Sequence, residues 1–192
     1  AMFPLRARRW RTILDPVEPG LPLGPLWRSI AIGMMVNNVA LLRAGEFARA
    51  FALTREVPSV SFATSLASLV VDRVFDAIVV LLLLAISIFL AGFSTDITVA
   101  GFSIAHIALA FAAAPIAMLV ILYALVFFPA TLIRLFELSA RRVSPALEER
   151  GSEVLQRFAD GLSVLRSPAH FFAVFWWTLL HWLVQPLAFW LA

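Results

Sequence analysis

The chain has 192 residues, 62% of them hydrophobic and 14% charged, with a formal net charge of +3 and a mean hydropathy of +0.94. Soluble domains average about 25% charged and about 45–50% apolar residues, so this composition is that of an integral membrane protein. Cysteine and lysine are both absent, all fifteen basic residues being arginine; this excludes disulfides, thiolate metal sites, Schiff-base chemistry and the P-loop lysine.

The pI near 10.9 does not point to a nucleic-acid partner. The arginines flank apolar runs, as cytoplasmic loops do, instead of forming one contiguous soluble patch. Arg6-Ala7-Arg8-Arg9-Trp10-Arg11 reads as the cytoplasmic flank of a span outside these residues. The last residues, Trp190-Leu191-Ala192, stop inside an apolar run, so the expectation is an internal fragment of a larger polytopic protein. No apolar core of 7–15 residues follows Arg11, so no signal peptide is expected.

Residues 12–25 hold Pro16, Pro19, Gly20, Pro22, Gly24 and Pro25 and read as a loop. Residues 29–42 are uncharged, but fourteen residues make a helix of only about 21 Å, against a hydrocarbon core of about 30 Å. The next long segment, 61–91, reads as a span whose N-terminal third is charged. A turn at Gly92–Asp96 follows, then a span over 102–128 with Pro115 as a kink. Residues 130–167 hold six arginines and five acids. Within them Val154, Leu155, Phe158, Leu162 and Leu165 share one helical face, and Arg150, Glu153, Arg157 and Arg166 lie mostly on the other. This predicts an amphipathic cytoplasmic helix, started by Ser144-Pro145. Ser167-Pro168 repeats the start signal before a last span, 168–192, whose tryptophans 176, 177, 182 and 190 suit interfacial belts and helix packing.

Arginine counts set the orientation. The flank 6–11 holds four, the loop 92–101 none and the segment 130–167 six, which puts the first and last inside and the short loop outside. The segment 26–56 must then leave from and return to the inside. It is too short for two spans, so a re-entrant helical hairpin is predicted, turning near Asn37-Asn38 or Leu42-Arg43. Irregular backbone at membrane depth is tolerated only where it is buried in protein or lines a wet cavity. The fold class is therefore all-α: a polytopic helical bundle with a re-entrant hairpin.

Two charge clusters interrupt this apolar sequence. Arg43, Glu46 and Arg49 stand at i, i+3 and i+6 and sum to +1; Asp72, Arg73 and Asp76 follow on the next helix and sum to −1. A charge at bilayer depth costs roughly 2.5–3.5 kcal/mol on insertion scales unless it is paired or wet. The clusters can neutralise each other across a helix interface. They can also line a site for a phosphate, which arginine grips with two parallel hydrogen bonds. The two readings are compatible, and both predict contact between 43–49 and 72–76. Gly45 allows a close approach. Asn37 and Asn38 fit a substrate site or the capping of short helix ends equally well. His106, His170 and His181 stand without an HExxH motif or a nearby carboxylate, and no serine has a nucleophile-elbow context.

These residues carry a resemblance. Arg9-Trp10-Arg11, then Asn37-Asn38 … Arg43-Ala44-Gly45-Glu46 … Arg49, then Asp72-Arg73-Val74-Phe75-Asp76, resembles the lysylphosphatidylglycerol synthase transmembrane family. This flippase-like family includes the membrane half of the bacterial multiple peptide resistance factor. The likeness runs over residues 9–80, with hydropathy alone matching beyond. The family pattern has proline where Leu41 stands, and glutamate where Asp72 stands. The resemblance implies a multi-pass protein of a bacterial or archaeal inner membrane. Some members translocate aminoacylated phosphatidylglycerol, some are linked to lipid-linked glycan transfer, and lipid synthesis in the best-known member resides in a separate soluble domain.

The first functional expectation is thus a flippase-like protein that translocates or binds a phospholipid or lipid-linked headgroup. Asn37, Asn38, Arg43, Glu46, Arg49, Asp72, Arg73 and Asp76 would line its cleft. Its partners would be membrane lipids (an anionic or aminoacylated phospholipid, or a lipid-linked glycan) and no nucleic acid, with a homo-oligomer left open. No cofactor, metal or catalytic motif is expected. The alternative is a membrane enzyme or glycosyltransferase-associated subunit whose acids act as base or metal ligands. A third reading is a scaffold whose charges only join helices.

Overall fold

The computed structural model describes residues 2–40, 44–90, 98–99, 102–140 and 145–190. They form eight α-helices: α1 (Met2–Leu14), α2 (Leu23–Val39), α3 (Gly45–Glu56), α4 (Phe62–Leu90), α5 (Ile104–Phe127), α6 (Pro129–Ala140), α7 (Pro145–Gly161) and α8 (Pro168–Trp190). A 3-10 turn, Ser163–Arg166, precedes α8, and two two-residue strands, β1 (Thr98–Val99) and β2 (Phe102–Ser103), pair antiparallel before α5. The fold class is all-α, as expected. The Gly92–Asp96 turn, Arg43 and Ser144 lie outside the described residues.

Proline marks the helix starts. Pro129, Pro145 and Pro168 are first residues of their helices, where the missing N–H costs nothing and φ is already helical. Ser167 caps α8, its hydroxyl lying 3.5 Å from the His170 backbone N–H. The expected loop at 12–25 is shorter than its proline content suggested, because α1 runs through Leu14 and α2 begins at Leu23. Gly20, at φ +76°, makes the turn between them.

The segment 26–56 is two helices running in opposite directions, α2 and α3, with their break between Val39 and Gly45. Two glycines let their backbones meet. A Cβ on Gly33 would lie 2.7 Å from the Gly45 carbonyl oxygen, and one on Gly45 would overlap the Gly33 carbonyl. At the open end Arg28 and Glu56 form an ion pair. Arg28 holds the Glu56 carboxyl below its usual pKa through that hydrogen bond.

α4 is the central element, touched by α1, α3, α5, α7 and α8. α7 reaches it through Gly161, where a Cβ would lie 2.6 Å from the Thr64 carbonyl oxygen. The expected amphipathic helix therefore stops at Gly161 instead of continuing to Leu165, and the 3-10 turn carries the chain on. Leu162 and Leu165 are buried as expected, but Val154 is 55% exposed. The segment 130–167 holds α6 ahead of α7, and the chain bends by 91° between Pro115–Phe127 and Pro129–Leu138.

Two apolar clusters result. One joins α1, α2, α3 and the start of α4 around Trp10, Leu26, Ile30, Leu53 and Leu69. The other joins α4, α5, the 3-10 turn and α8 around Val71, Phe75, Leu122, Leu162 and Val174. Outside them the polarity is inverted. α3 buries Arg49 and exposes Phe47 and Phe51 by 61% and 59%; Val120, Ile121, Phe172 and Trp176 are likewise exposed. A protein in water does not normally show contiguous apolar surface around a charged interior. Among the described residues no single helix is both long and apolar enough to cross a membrane alone; the bent pair of α5 and α6 passes by length and composition together.

Candidate functional site

The two charge clusters meet. Arg49 Nη1 lies 3.4 Å from Asp72 Oδ2, and Arg73 pairs with Glu46. Arg49 is 3% exposed and Asp72 1%, so this contact is removed from water.

The centre of the site is a residue outside the expected set. Arg9, 1% exposed, has one guanidinium nitrogen 2.6 Å from Asp72 Oδ1 and another 2.6 Å from Asp76 Oδ1. The Asp72 contact is an ion pair without hydrogen-bond alignment; the Asp76 contact is a well-formed hydrogen bond. The stretch 6–11 does more than flank an apolar run. It is the middle of α1, whose Ala7, Arg9 and Trp10 are buried. The charges explain why. Glu46 and Arg49 cancel, and Asp72, Arg73 and Asp76 leave one negative charge, which Arg9 neutralises.

Tryptophans complete the network. Trp10 donates its indole N–H to Ser68 Oγ at 2.8 Å, and its ring lies 3.9 Å under the Arg49 guanidinium, a cation–π contact in a desolvated setting. Trp182, read from sequence as an interfacial residue, donates to Asp76 Oδ1 at 3.0 Å. His170, which shows no partner nearby in sequence, has Nε2 3.6 Å from Asp15 Oδ2. What could have revealed Arg9 is the pairing of an arginine with a tryptophan inside a run of bases. A flank held in water gains nothing from the tryptophan.

Asn37 caps α3 from the facing helix, its Oδ1 accepting the Gly45 N–H at 2.8 Å. This satisfies one of the orphan donors of a helix N-terminus. Asn38 is exposed. Both asparagines line a cavity of about 250 Å³ together with Arg6, Glu46, Arg49 and Arg73. Of the eight expected site residues, six line or wall this cavity or its ion pairs on one side: Asn37, Asn38, Glu46, Arg49, Asp72 and Arg73. Asp76 stands behind them, tied to Arg9, Arg73 and Trp182. Arg43 lies outside the described residues. Arg49 Nε and Nη2 are buried and have no hydrogen-bond partner among the described residues. Two unsatisfied donors on a buried cation are costly, and such groups normally find a ligand or water.

On the far side of the Glu46–Arg73 pair lies an apolar groove of about 450 Å³, lined by Phe47, Leu69, Val70, Val74, Ala77 and Met118. Glu46 and Arg73 belong to both spaces. A polar chamber and an apolar groove thus share one charged wall. Among the described residues no group of three histidines and acids is placed to hold a metal.

No curated protein and no solved structure matches the chain. The family model described as the lysylphosphatidylglycerol synthase TM region matches residues 1–192. The charged interior, the apolar exterior and this match over the whole chain agree: the protein belongs to the lysylphosphatidylglycerol synthase transmembrane family, and is a membrane protein linked to lipid metabolism.

Proposed function

We propose that this protein binds and translocates a lipid with a phosphate-bearing headgroup, the headgroup in the Arg49 cavity and an acyl chain in the adjoining groove. The observation that carries the reading is buried Arg49, with two donors lacking a hydrogen-bond partner among the described residues, in the lining of a polar cavity whose wall continues into an apolar groove. A planar guanidinium suits a phosphate, and the volumes fit an amphiphile divided between a wet and a dry space. Asn38 and Arg6 supply further donors, and Asn37 holds the end of α3 in place. Asp72 and Asp76 hold Arg49 and Arg9, and Asp76 also meets Arg73. Carboxylates engaged by arginines are not free to hold a metal or meet a substrate, which favours this reading over an enzyme acting on lipid-linked substrates.

In this reading the hairpin α2–α3 re-enters the membrane from the cytoplasmic side, and α4, α5 and α8 cross it. Cysteines at Thr95 and Ser152 should then label from opposite sides of intact cells.

The test of function is Arg49→Lys in a lipid-scrambling assay in liposomes, normalised to folded protein. The ammonium keeps the charge but loses the fork, so transport per folded molecule should fall about ten- to a hundred-fold, the effect of roughly 1.5–3 kcal/mol for a charged hydrogen bond. Full transport per folded molecule would leave Arg49 as a structural partner of Asp72 only.

A further inference from the structure

α1 has a second basic face that the charged interior does not use. At 3.6 residues per turn, Arg8 and Arg11 stand about 160° around the helix from Arg6 and Arg9. They open onto a separate cavity of about 290 Å³ between α1 and the first half of α8, lined also by Thr12, Asp15, His170 and Trp177. Among the described residues neither Arg8 nor Arg11 has an acidic partner. The one carboxylate in the cavity, Asp15, faces His170 at 3.6 Å and also accepts the Gly20 N–H at 3.3 Å. Arg8 lies 6.0 Å from the Trp177 ring, which limits the directions its guanidinium takes up. Two guanidiniums spaced one turn apart over a concave floor, with the local carboxylate already engaged, leave an unbalanced positive charge.

We propose that this cavity is a second anion site, taking a phosphate-bearing group between Arg8 and Arg11, against Trp177. The site is distinct from the Arg49 cavity, with α1 as the partition between them. The chemistry is that of a phosphate mono- or diester, borne by a lipid headgroup or by a soluble phosphate. Arginine supplies the fork, and a tryptophan beside it is the pairing found at the headgroup level of membranes.

The experiment uses the full chain in detergent micelles with two probes. Phosphatidylglycerol, against phosphatidylcholine, is followed by native mass spectrometry, and glycerol phosphate is followed by calorimetry. The expected result is a preference for the anionic probe that weakens about tenfold for each arginine removed in Arg8→Gln and Arg11→Gln, and less in the lysine variants. Loss with phosphatidylglycerol alone identifies a lipid headgroup; the same loss with glycerol phosphate identifies the phosphate itself. The loss caused by Arg8→Gln and Arg11→Gln should persist in an Arg49→Gln background, so failure here is distinct from failure of the transport reading. Ala173→Trp keeps both arginines and fills the cavity, and it too should remove the component of binding that the arginine variants remove. If the arginine variants do not fold, this variant carries the test. Wild-type binding by Ala173→Trp, or by folded Arg8→Gln/Arg11→Gln, would overturn the site.

Discussion

Replacing Arg9 by glutamine should be among the most damaging single changes in the protein. Arg9 sits 2.6 Å from a carboxylate oxygen of each of Asp72 and Asp76. At an effective dielectric of about 20, each such contact has a gross attraction of about 6 kcal/mol. Desolvating each ion offsets several kcal/mol of that. The net value of the pairs is therefore small, but the cost of breaking them is not. Without Arg9, Asp72 keeps Arg49 at 3.4 Å, and Asp76 keeps Arg73 at 3.4 Å and the Trp182 N–H at 3.0 Å. One buried negative charge is left uncompensated, a loss of about 3–5 kcal/mol. Arg9→Lys keeps the charge but cannot reach both acids with a fork, and should lose about 1.5–3 kcal/mol. Adding Asp72→Asn to Arg9→Gln removes the surplus charge and should recover part of the loss, whereas the two changes would simply add if they were independent. The assay is equilibrium unfolding in micelles, followed by far-ultraviolet circular dichroism. A loss below about 1 kcal/mol for Arg9→Gln, or strict additivity with Asp72→Asn, would refute the account of α1 as the neutralising element.

Three further outcomes follow from the hairpin. Gly45→Ala places a methyl group against the Gly33 carbonyl and the Asn37 side chain; it should destabilise by about 1–3 kcal/mol in the same unfolding assay, as overpacking does. Asn37→Ala removes the acceptor of the Gly45 N–H and should cost about 0.5–2 kcal/mol, with hydrogen exchange at the start of α3 accelerating before that of α4. The third concerns pH. Arg28 lowers the Glu56 carboxyl below its usual pKa, so this ion pair stabilises the hairpin above the ordinary glutamate range and is lost as pH falls through the lowered value. Protection factors at the end of α3, corrected for the intrinsic pH dependence of exchange, should fall on acidification over that window. Glu56→Gln should remove this pH dependence; its persistence would assign it to another group.

Much of the site was legible because charge in apolar sequence has few places to go. Glu46, Arg49, Asp72 and Arg73 had to be paired or wet, and they are brought together as pairs. The break in the hairpin was legible from length alone, since residues 29–42 are too few to cross and must turn. Arg9 was hidden by its neighbours: among Arg6, Arg8 and Arg11 it reads as one more cytoplasmic base, and only helical phase together with the adjacent Trp10 separates the buried one from the others. Trp182 was hidden by its own chemistry, since an amphipathic indole fits a lipid interface as well as a buried carboxylate. The end of the amphipathic helix was misplaced because its apolar period continues to Leu165. The constraint that stops it at Gly161 is the Thr64 carbonyl, almost a hundred residues earlier in the chain. Capping by Asn37 required knowing which helix faces it, which is tertiary information.

The division of the interior into two apolar clusters has a bearing on cooperativity. α1 contributes Trp10 to one and Ile13 to the other, and α4 contributes Leu69 to one and Val71 and Phe75 to the other. Asp72 lies between these residues on α4, so the arginine–aspartate contacts form the seam where the two bodies join. Oil-like contacts tolerate small sliding with little change in energy, but a forked ion pair at 2.6 Å does not. The seam therefore works as a rivet: while it holds, the two bodies share one unfolding transition, and its loss turns one folding unit into two.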